Sequence, residues 1–324
     1  MKNILENFYL QIKESQNLSG NLKIENKNVK NIVISGVGGS AFAGDILKSL
    51  FGEKINILIN RDYLLPKFLA PNDTIIFIVS YSGNTEETIY AVKEAKKRKF
   101  EIIAISSNGF LEKFALKNKI KFVKVPGGIQ PRNAIGYLLI PIIKILENSK
   151  IINEKQNIEA LSKTIKINEK KIQIKAKKIA KLLYNKIPLI YSSEKLKCLS
   201  YGWKTRLNEN SKIHAFSHQF PELNHNELVG YTKKIAPFFT ILIQDKDDFQ
   251  RIKKRYEITK KLILKLNGEC LVLNTQGKTL LERIFLCLHL ADWTTYYLAL
   301  QYGIDPEPVK IIQTLKKSLK EKQI

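Results

Sequence analysis

The stretch SGVGGSAFAGD, residues 35–45, follows the apolar run Asn31-Ile32-Val33-Ile34 and leads into an amphipathic segment. A strand, a turn of small residues and a helix start together present free backbone N–H groups and a positive dipole end to a phosphate. Gly36, Gly38 and Ala41 also match the relaxed dinucleotide spacing G-x-G-x-x-A. The turn predicts phosphate binding and leaves a nucleotide and a smaller phosphate ester both open.

Outward from this turn, the first half of the chain alternates apolar runs with helical patterns. Strands are predicted at 31–35, 55–59, 74–80, 101–106 and 121–125. The clearest helix is 86–98, where Thr88, Ala91, Val92 and Ala95 share one face. Short strands that are apolar throughout imply burial on both sides, hence a parallel sheet covered by helices with its ligand at the strands' carboxyl ends. A long Lys/Ile/Asn-rich helical stretch at 151–184 then separates this unit from a second alternation. There, strands are predicted at 187–192, 238–244 and 269–273, and helices at 195–209, 248–266, 280–302 and 309–321. IPLIYSSEKLKCLSYGWKTRLNE, residues 187–209, echoes the first unit's strand, serine-bearing turn and helix. The expected fold is α/β, with two related units: residues 1–150, and residues 151–324 including the linking helix.

Composition narrows the function. A chain of 324 residues, 44% hydrophobic and 26% charged, suits two domains with buried cores and carries no disordered signature. Cys198, Cys270 and Cys287 lack paired spacing, so neither disulfides nor a thiolate metal site is expected. The start MKNILENFYL does not read as an export signal, and no run approaches the roughly 18 apolar residues of a membrane span. A cytoplasmic location is the expectation. The net charge of +24 invites a nucleic-acid reading, but the lysines alternate with apolar residues at helical spacing and lack interleaved aromatics. They read as solvated helix faces, so neither nucleic acid nor a membrane is an expected partner.

The loop Ser80-Tyr81-Ser82-Gly83-Asn84-Thr85 closes the strand TIIFIV and opens the helix EETIYAVKEA. Thr85 or Asn84 suits a plain N-cap. Capping alone does not require three aliphatic hydroxyls and a glycine in one short loop, whereas a phosphate monoester does use such a cradle, without metal or lysine. A dinucleotide site would instead concentrate binding in the first glycine turn, with an acid at the end of the second strand. That strand ends Ile59-Asn60-Arg61-Asp62. Arg61 would suit a 2′-phosphate, but the hydroxyl loop would then have no purpose; a monophosphate is the better fit.

In order, SGVGGSAFAGD, SYSGNTEETI, PRNAIGYL, NENSK, FPELNHNE and YGIDPEPVKIIQTLK resemble the bifunctional phosphoglucose/phosphomannose isomerase family, enzymes built from two sugar isomerase (SIS) domains. The resemblance runs over nearly the whole chain. SYSGNTEET alone would indicate only a SIS domain; NEN and PELNHNE are far more specific. The resemblance implies aldose–ketose isomerisation of sugar 6-phosphates through a cis-enediol, with no cofactor and no metal. By it, Glu209 is the base moving a proton between C1 and C2, although a helix-terminal glutamate has an ordinary structural reading as well. His225 becomes the ring-opening acid/base, donated across a homodimer interface, and Arg132 stabilises the enediolate. Gly39, Ser40, Ser80, Ser82 and Thr85 become the phosphate and sugar contacts. A lysine of the C-terminal helix completes the set, at Lys316 or at Lys310.

Other histidines read differently. His289 lies in the apolar run IFLCLHLADW and is expected in the core, while His214 and His218 lack a third metal ligand. One departure from the family pattern stands out. The segment usually written D-P-T-P-V reads Asp305-Pro306-Glu307-Pro308-Val309, and a carboxylate turned inward there would repel an anionic substrate. Glucose 6-phosphate is therefore the firmer expectation and mannose 6-phosphate the second. Three alternatives differ in class: another SIS sugar-phosphate isomerase, a non-catalytic SIS sensor, or an NADP-binding oxidoreductase.

Overall fold

The computed structural model describes residues 1–153 and 155–321. The chain begins with two short helices, α1 (Lys2–Glu6) and α2 (Phe8–Ser15). The first sheet then forms from β1 (Asn31–Ser35), β2 (Asn56–Asn60), β3 (Thr74–Val79), β4 (Glu101–Ser106) and β5 (Lys121–Lys124). Interleaved with them are α3 (Gly39–Phe51), α4 (Glu86–Lys97) and α5 (Gly109–Lys117), and α6 (Ile135–Asn148) follows. The long α7 (Ile158–Leu183) leads to β6 (Ile187–Ser193), α8 (Lys197–Asn210), β7 (Phe216–Phe220) and β8 (Phe238–Gln244). Next come α9 (Gln250–Lys265), β9 (Glu269–Asn274), α10 (Leu280–Gln301) and α11 (Lys310–Glu321).

All described pairings are parallel, in the orders β2-β1-β3-β4-β5 and β7-β6-β8-β9. The second order repeats the first as far as its fourth strand, the structural form of the repeat expected from residues 187–209. Side-chain alternation sorts each strand between two cores. Ile32, Ile34, Ile75 and Phe77 join Ile190, Ile241 and Ile243 of the second sheet in one core filled by α3, α6, α7, α8 and α10. Val33, Ile76 and Ile78 face α4 and α5, while Tyr191 and Leu242 pack with Phe220 and Tyr256 on the far side of the second sheet. The strand TIIFIV is buried at every position, as a strand covered on both faces must be.

Three elements escape the sequence expectations, α1, α2 and β7, and the linking helix α7 starts at Ile158 and not at 151. β7, FSHQF, is an edge strand whose first three residues are exposed or half-buried, so it lacks the continuous apolar run that marks the others. α2 buries Phe8, Gln11 and Ile12 among the helices. His289 is fully buried on α10, as expected, with Nε2 2.7 Å from Glu169 Oε2.

Candidate active site

Two helix starts converge beside the carboxyl ends of β1 and β3. Gly39 opens α3 after Gly38, which holds a left-handed φ of 55°, and no side chain caps that helix. Gly36 packs so closely that an added Cβ would lie 2.6 Å from the Val79 carbonyl oxygen. The same addition at Gly39 would meet the Pro131 carbonyl oxygen at 2.7 Å and the Arg132 nitrogen at 3.0 Å. These glycines let three backbone segments touch. Ser40, buried, accepts a hydrogen bond from the Tyr81 N–H at 3.2 Å, which joins the first turn to the hydroxyl loop.

The hydroxyl loop corrects one expectation. Neither Thr85 nor Asn84 caps α4: Thr85 occupies the N-cap position without a side-chain cap bond. Its hydroxyl accepts from buried Ser80 at 2.9 Å, and the Asn84 side chain accepts from the Phe110 N–H at 2.9 Å. Gly83 sits at φ 67° against the Asn108 carbonyl, where a Cβ would lie only 1.7 Å from the oxygen. Ser107 supports the loop from below through two bonds to the Tyr81 carbonyl, at 3.0 and 2.7 Å. With the side chains engaged elsewhere, the first N–H groups of α4 remain available, together with the exposed Ser82 hydroxyl and the half-buried Thr85. Ser80 is placed to support Thr85 more than to meet a ligand.

Arg132 lies on a 3-10 turn at Pro131–Asn133 and is almost fully buried. Its Nε donates to Asn210 Oδ1 at 2.6 Å, and Nη2 donates to the carbonyls of Pro306 and Glu307, each at 2.8 Å. The remaining nitrogen, Nη1, makes only long contacts, 3.4 Å to Glu209 Oε2 and 3.5 Å to Gln130 Oε1. The guanidinium is therefore anchored on three sides and offers Nη1 to the carboxylate. Burial lowers its pKa, and the Glu209 charge pulls it back up; it remains a cation at any physiological pH. From the other side, Gln11 of α2 donates to the Asn133 carbonyl at 2.9 Å and accepts from the Gly136 N–H at 2.8 Å.

Glu209 and Asn210 end α8, one turn beyond Arg206, whose buried Nε donates to Asp292 at 2.6 Å. Asn210 in turn donates to Thr295 at 2.9 Å, so α10 backs this end of the site. Arg206 and Gln11 carried no sequence signal, and Asn210 stood out only as part of NEN; the side-chain partners that tie the three into the site lie 78 or more residues away.

Residues 172–319 match the family model described as the bacterial phospho-glucose isomerase C-terminal SIS domain, and residues 26–115 match the SIS domain. A bifunctional phosphoglucose/phosphomannose isomerase of Thermoplasma volcanium is 38% identical over 292 residues, 89% of this chain and 91% of that one. The chain belongs to the bifunctional phosphoglucose/phosphomannose isomerase family. A D-glucosamine-6-phosphate 4-epimerase of Sulfolobus acidocaldarius is also similar, 30% identical and covering 90% of this chain and 89% of that one. Among solved structures, a hypothetical protein of Thermus thermophilus superposes with a TM-score of 0.77 at 16% identity, covering 98% of this chain and 90% of that one, a likeness of fold.

Against the residues that the family resemblance singles out, Gly39, Ser40, Ser82, Thr85, Arg132 and Glu209 take their places around these two helix starts and the end of α8. His225 and Lys316 do not join them within one chain. His225 is exposed on a short turn after β7, at the carboxyl end of the second sheet. α8 runs back from that end, and its 14 residues carry Glu209 about 20 Å toward the opposite edge. Lys316 and Lys310 are exposed on α11, and no described hydrogen bond ties either side chain to Glu209 or Arg132. Glu307 does not turn its carboxylate toward Arg132; it pairs with the backbone amine of Met1 while its carbonyl receives Arg132. Among the described residues, no group of three or more His, Cys, Asp or Glu side chains is gathered to hold a metal, and no helix is long and apolar enough to cross a membrane.

Proposed function

We propose that the protein interconverts glucose 6-phosphate, and mannose 6-phosphate as a second substrate, with fructose 6-phosphate through a cis-enediol. The observation that carries this reading is the 3.4 Å approach of Arg132 Nη1 to the Glu209 carboxylate beside two uncapped helix starts. The phosphoryl group sits on the N–H groups of α3 and α4 with Gly39, Ser40, Ser82 and Thr85, and Ser80 holds Thr85. The Glu209 carboxylate takes the proton from C2 of the open-chain aldose and returns it to C1, and the reverse reaction runs the same path. Negative charge building on the enediolate oxygen is met by Nη1, the one guanidinium nitrogen without a short protein bond. Pairing with the Met1 amine offsets the repulsion that the Glu307 charge would otherwise exert on an anionic substrate.

Ring opening falls to His225 of a second copy. Within one chain it stands at the opposite end of the second sheet from Glu209, so a homodimer is the economical way to bring them together. Exposed Ile311, Leu315 and Leu319 along α11 support burial against another chain, which would also carry Lys316 to the site. We take residues 1–150 and 151–324 as the two units, the first holding phosphate and the second supplying Glu209 and His225. A reducing cytoplasm suits the three free cysteines, of which Cys198 and Cys287 are held as thiols by burial, up to about 12 and about 11.

The test is metal-stripped protein with fructose 6-phosphate in deuterated water, beside Glu209→Gln. Glucose and mannose 6-phosphates labelled at C2 are expected from the parent and neither from the variant. An inactive parent refutes isomerisation, and unchanged turnover in the variant refutes Glu209 as the base. Epimerisation at C4 would instead align the chain with its 4-epimerase relative.

A further inference from the structure

Beyond α8 the backbone reverses at Lys212, which holds a left-handed φ of 58°. The reversal returns its side chain across the helix end. There, Nζ donates to the carbonyl of Glu209 itself and to the Pro306 carbonyl at 3.3 Å. Pro306 O is also the acceptor for Arg132 Nη2 at 2.8 Å. Two cations therefore share one carbonyl on either side of Glu209, one holding its backbone and the other facing its carboxylate.

An ordinary helix-terminal lysine explains part of this. Lysine side chains often meet the last carbonyls of a helix and its negative dipole end. Lys99, Lys119 and Lys150 adopt the same left-handed backbone after other helices, so the conformation alone is no signal. The bond to Pro306 is different, because it reaches 94 residues along the chain to the carbonyl that anchors Arg132. Burial lowers the Lys212 pKa, followed by the Arg132 charge, against the pull of Glu209 and Asp305. Lys212 is exposed as a residue, but its ammonium is tethered to two carbonyls of the site.

We propose that Lys212 is a positioning residue of the active site: its ammonium ties the end of α8 to the 305–307 segment and so fixes Glu209 against Arg132. It also adds a second positive charge beside an anionic substrate. This inference rests on Glu209 as the base. It assigns a lysine from the same chain as Glu209, separate from the Lys316 that a second copy would bring.

Lys212→Met, Lys212→Arg and, as a control with the same backbone, Lys99→Met are compared with the parent in the full-length protein. The readouts are kcat and KM for fructose 6-phosphate, deuterium uptake at C2, and thermal melting. Lys212→Met is expected to lower kcat about 10- to 100-fold, with uptake falling in parallel and KM moving less than about threefold. Lys212→Arg restores most of the loss, and Lys99→Met leaves all readouts unchanged. Lys212→Met retaining more than about half of kcat, or Lys212→Arg as impaired as Lys212→Met with parental melting, overturns the inference alone. An inactive parent overturns the isomerase reading and this inference together.

Discussion

Replacing Arg132 with lysine keeps a positive charge at the centre of the site and removes its shape. Arginine here uses three short bonds as anchors, at 2.6 Å to Asn210 and 2.8 Å to each of the carbonyls of Pro306 and Glu307. A single ammonium cannot stand where both Nε and Nη2 now stand while also facing Glu209. Leaving one or two of these buried acceptors unpaired costs about 1–3 kcal/mol each, and this falls on stability. Losing the Nη1 donor aimed at the developing oxyanion costs about 2.7–4 kcal/mol in the transition state, or about 10²- to 10³-fold in kcat. With the phosphate seated on α3 and α4 as proposed, KM should move less than about threefold. Steady-state kinetics with fructose 6-phosphate, together with a thermal melt, separate the two effects. A variant retaining kcat within about fivefold of the parent would show that charge alone suffices. A loss carried wholly by KM would place Arg132 in ground-state binding.

Three further outcomes follow from other parts of the molecule. Gly83→Ala forces a Cβ to within 1.7 Å of the Asn108 oxygen at a left-handed backbone position. The hydroxyl loop must shift at a cost of about 1–3 kcal/mol or more, and calorimetry should show sugar-phosphate affinity falling by at least about tenfold; unchanged affinity would remove the loop from the phosphate site. Mixing inactive Glu209→Gln with inactive His225→Ala, after dissociation and reassembly, should restore about a quarter of parental activity, because each mixed dimer keeps one intact site; no recovery would refute the shared site. At Asp245, burial pushes the carboxyl up. Hydrogen bonds from Thr275, the Asp247 N–H and Arg283, with the Arg283 charge, outweigh burial and hold it below its ordinary value. Its contribution is thus complete above the unfolded pKa of about 3.9 and is lost as pH falls through the lower folded value. Asp245→Asn breaks a buried pair, about 3–5 kcal/mol at neutral pH. Melting temperatures of parent and variant should converge below about pH 4; parallel curves would refute the linkage.

The legible parts of the fold share a physical property: their signal is local. TIIFIV needs no partner to announce a strand buried on both faces, and Thr88, Ala91, Val92 and Ala95 mark a helix face by spacing alone. β7 escaped because an edge strand does not need to be apolar on both sides, and α1 and α2 because a few apolar residues among Lys, Asn and Glu set no clear period. The site divides similarly. Ser82 and Thr85 stood out in their own loop, whereas Gly39, Arg132 and Glu209 emerged only through the family resemblance. Gln11 acts on residues far along the chain without any local mark, and although Asn210 and Lys212 lie in NENSK, that stretch does not show which distant residues they reach. Thr85 shows the reverse error: its local pattern fits a cap, but a partner five residues back takes its hydroxyl.

The repeated strand order bears on stoichiometry. β8 holds in the second sheet the place that β3 holds in the first, so residues 245–249 correspond to the hydroxyl loop. Where the first unit has serines and a threonine, the second has Asp245, Asp247 and Asp248, with Arg283 drawn in to neutralise two of them. That loop sets carboxylates before the start of α9, where the first unit sets hydroxyls before the start of α4, and they repel an incoming anion. On the proposed site, only the first unit's loop suits a phosphate ester, and a titration should saturate at one equivalent per chain.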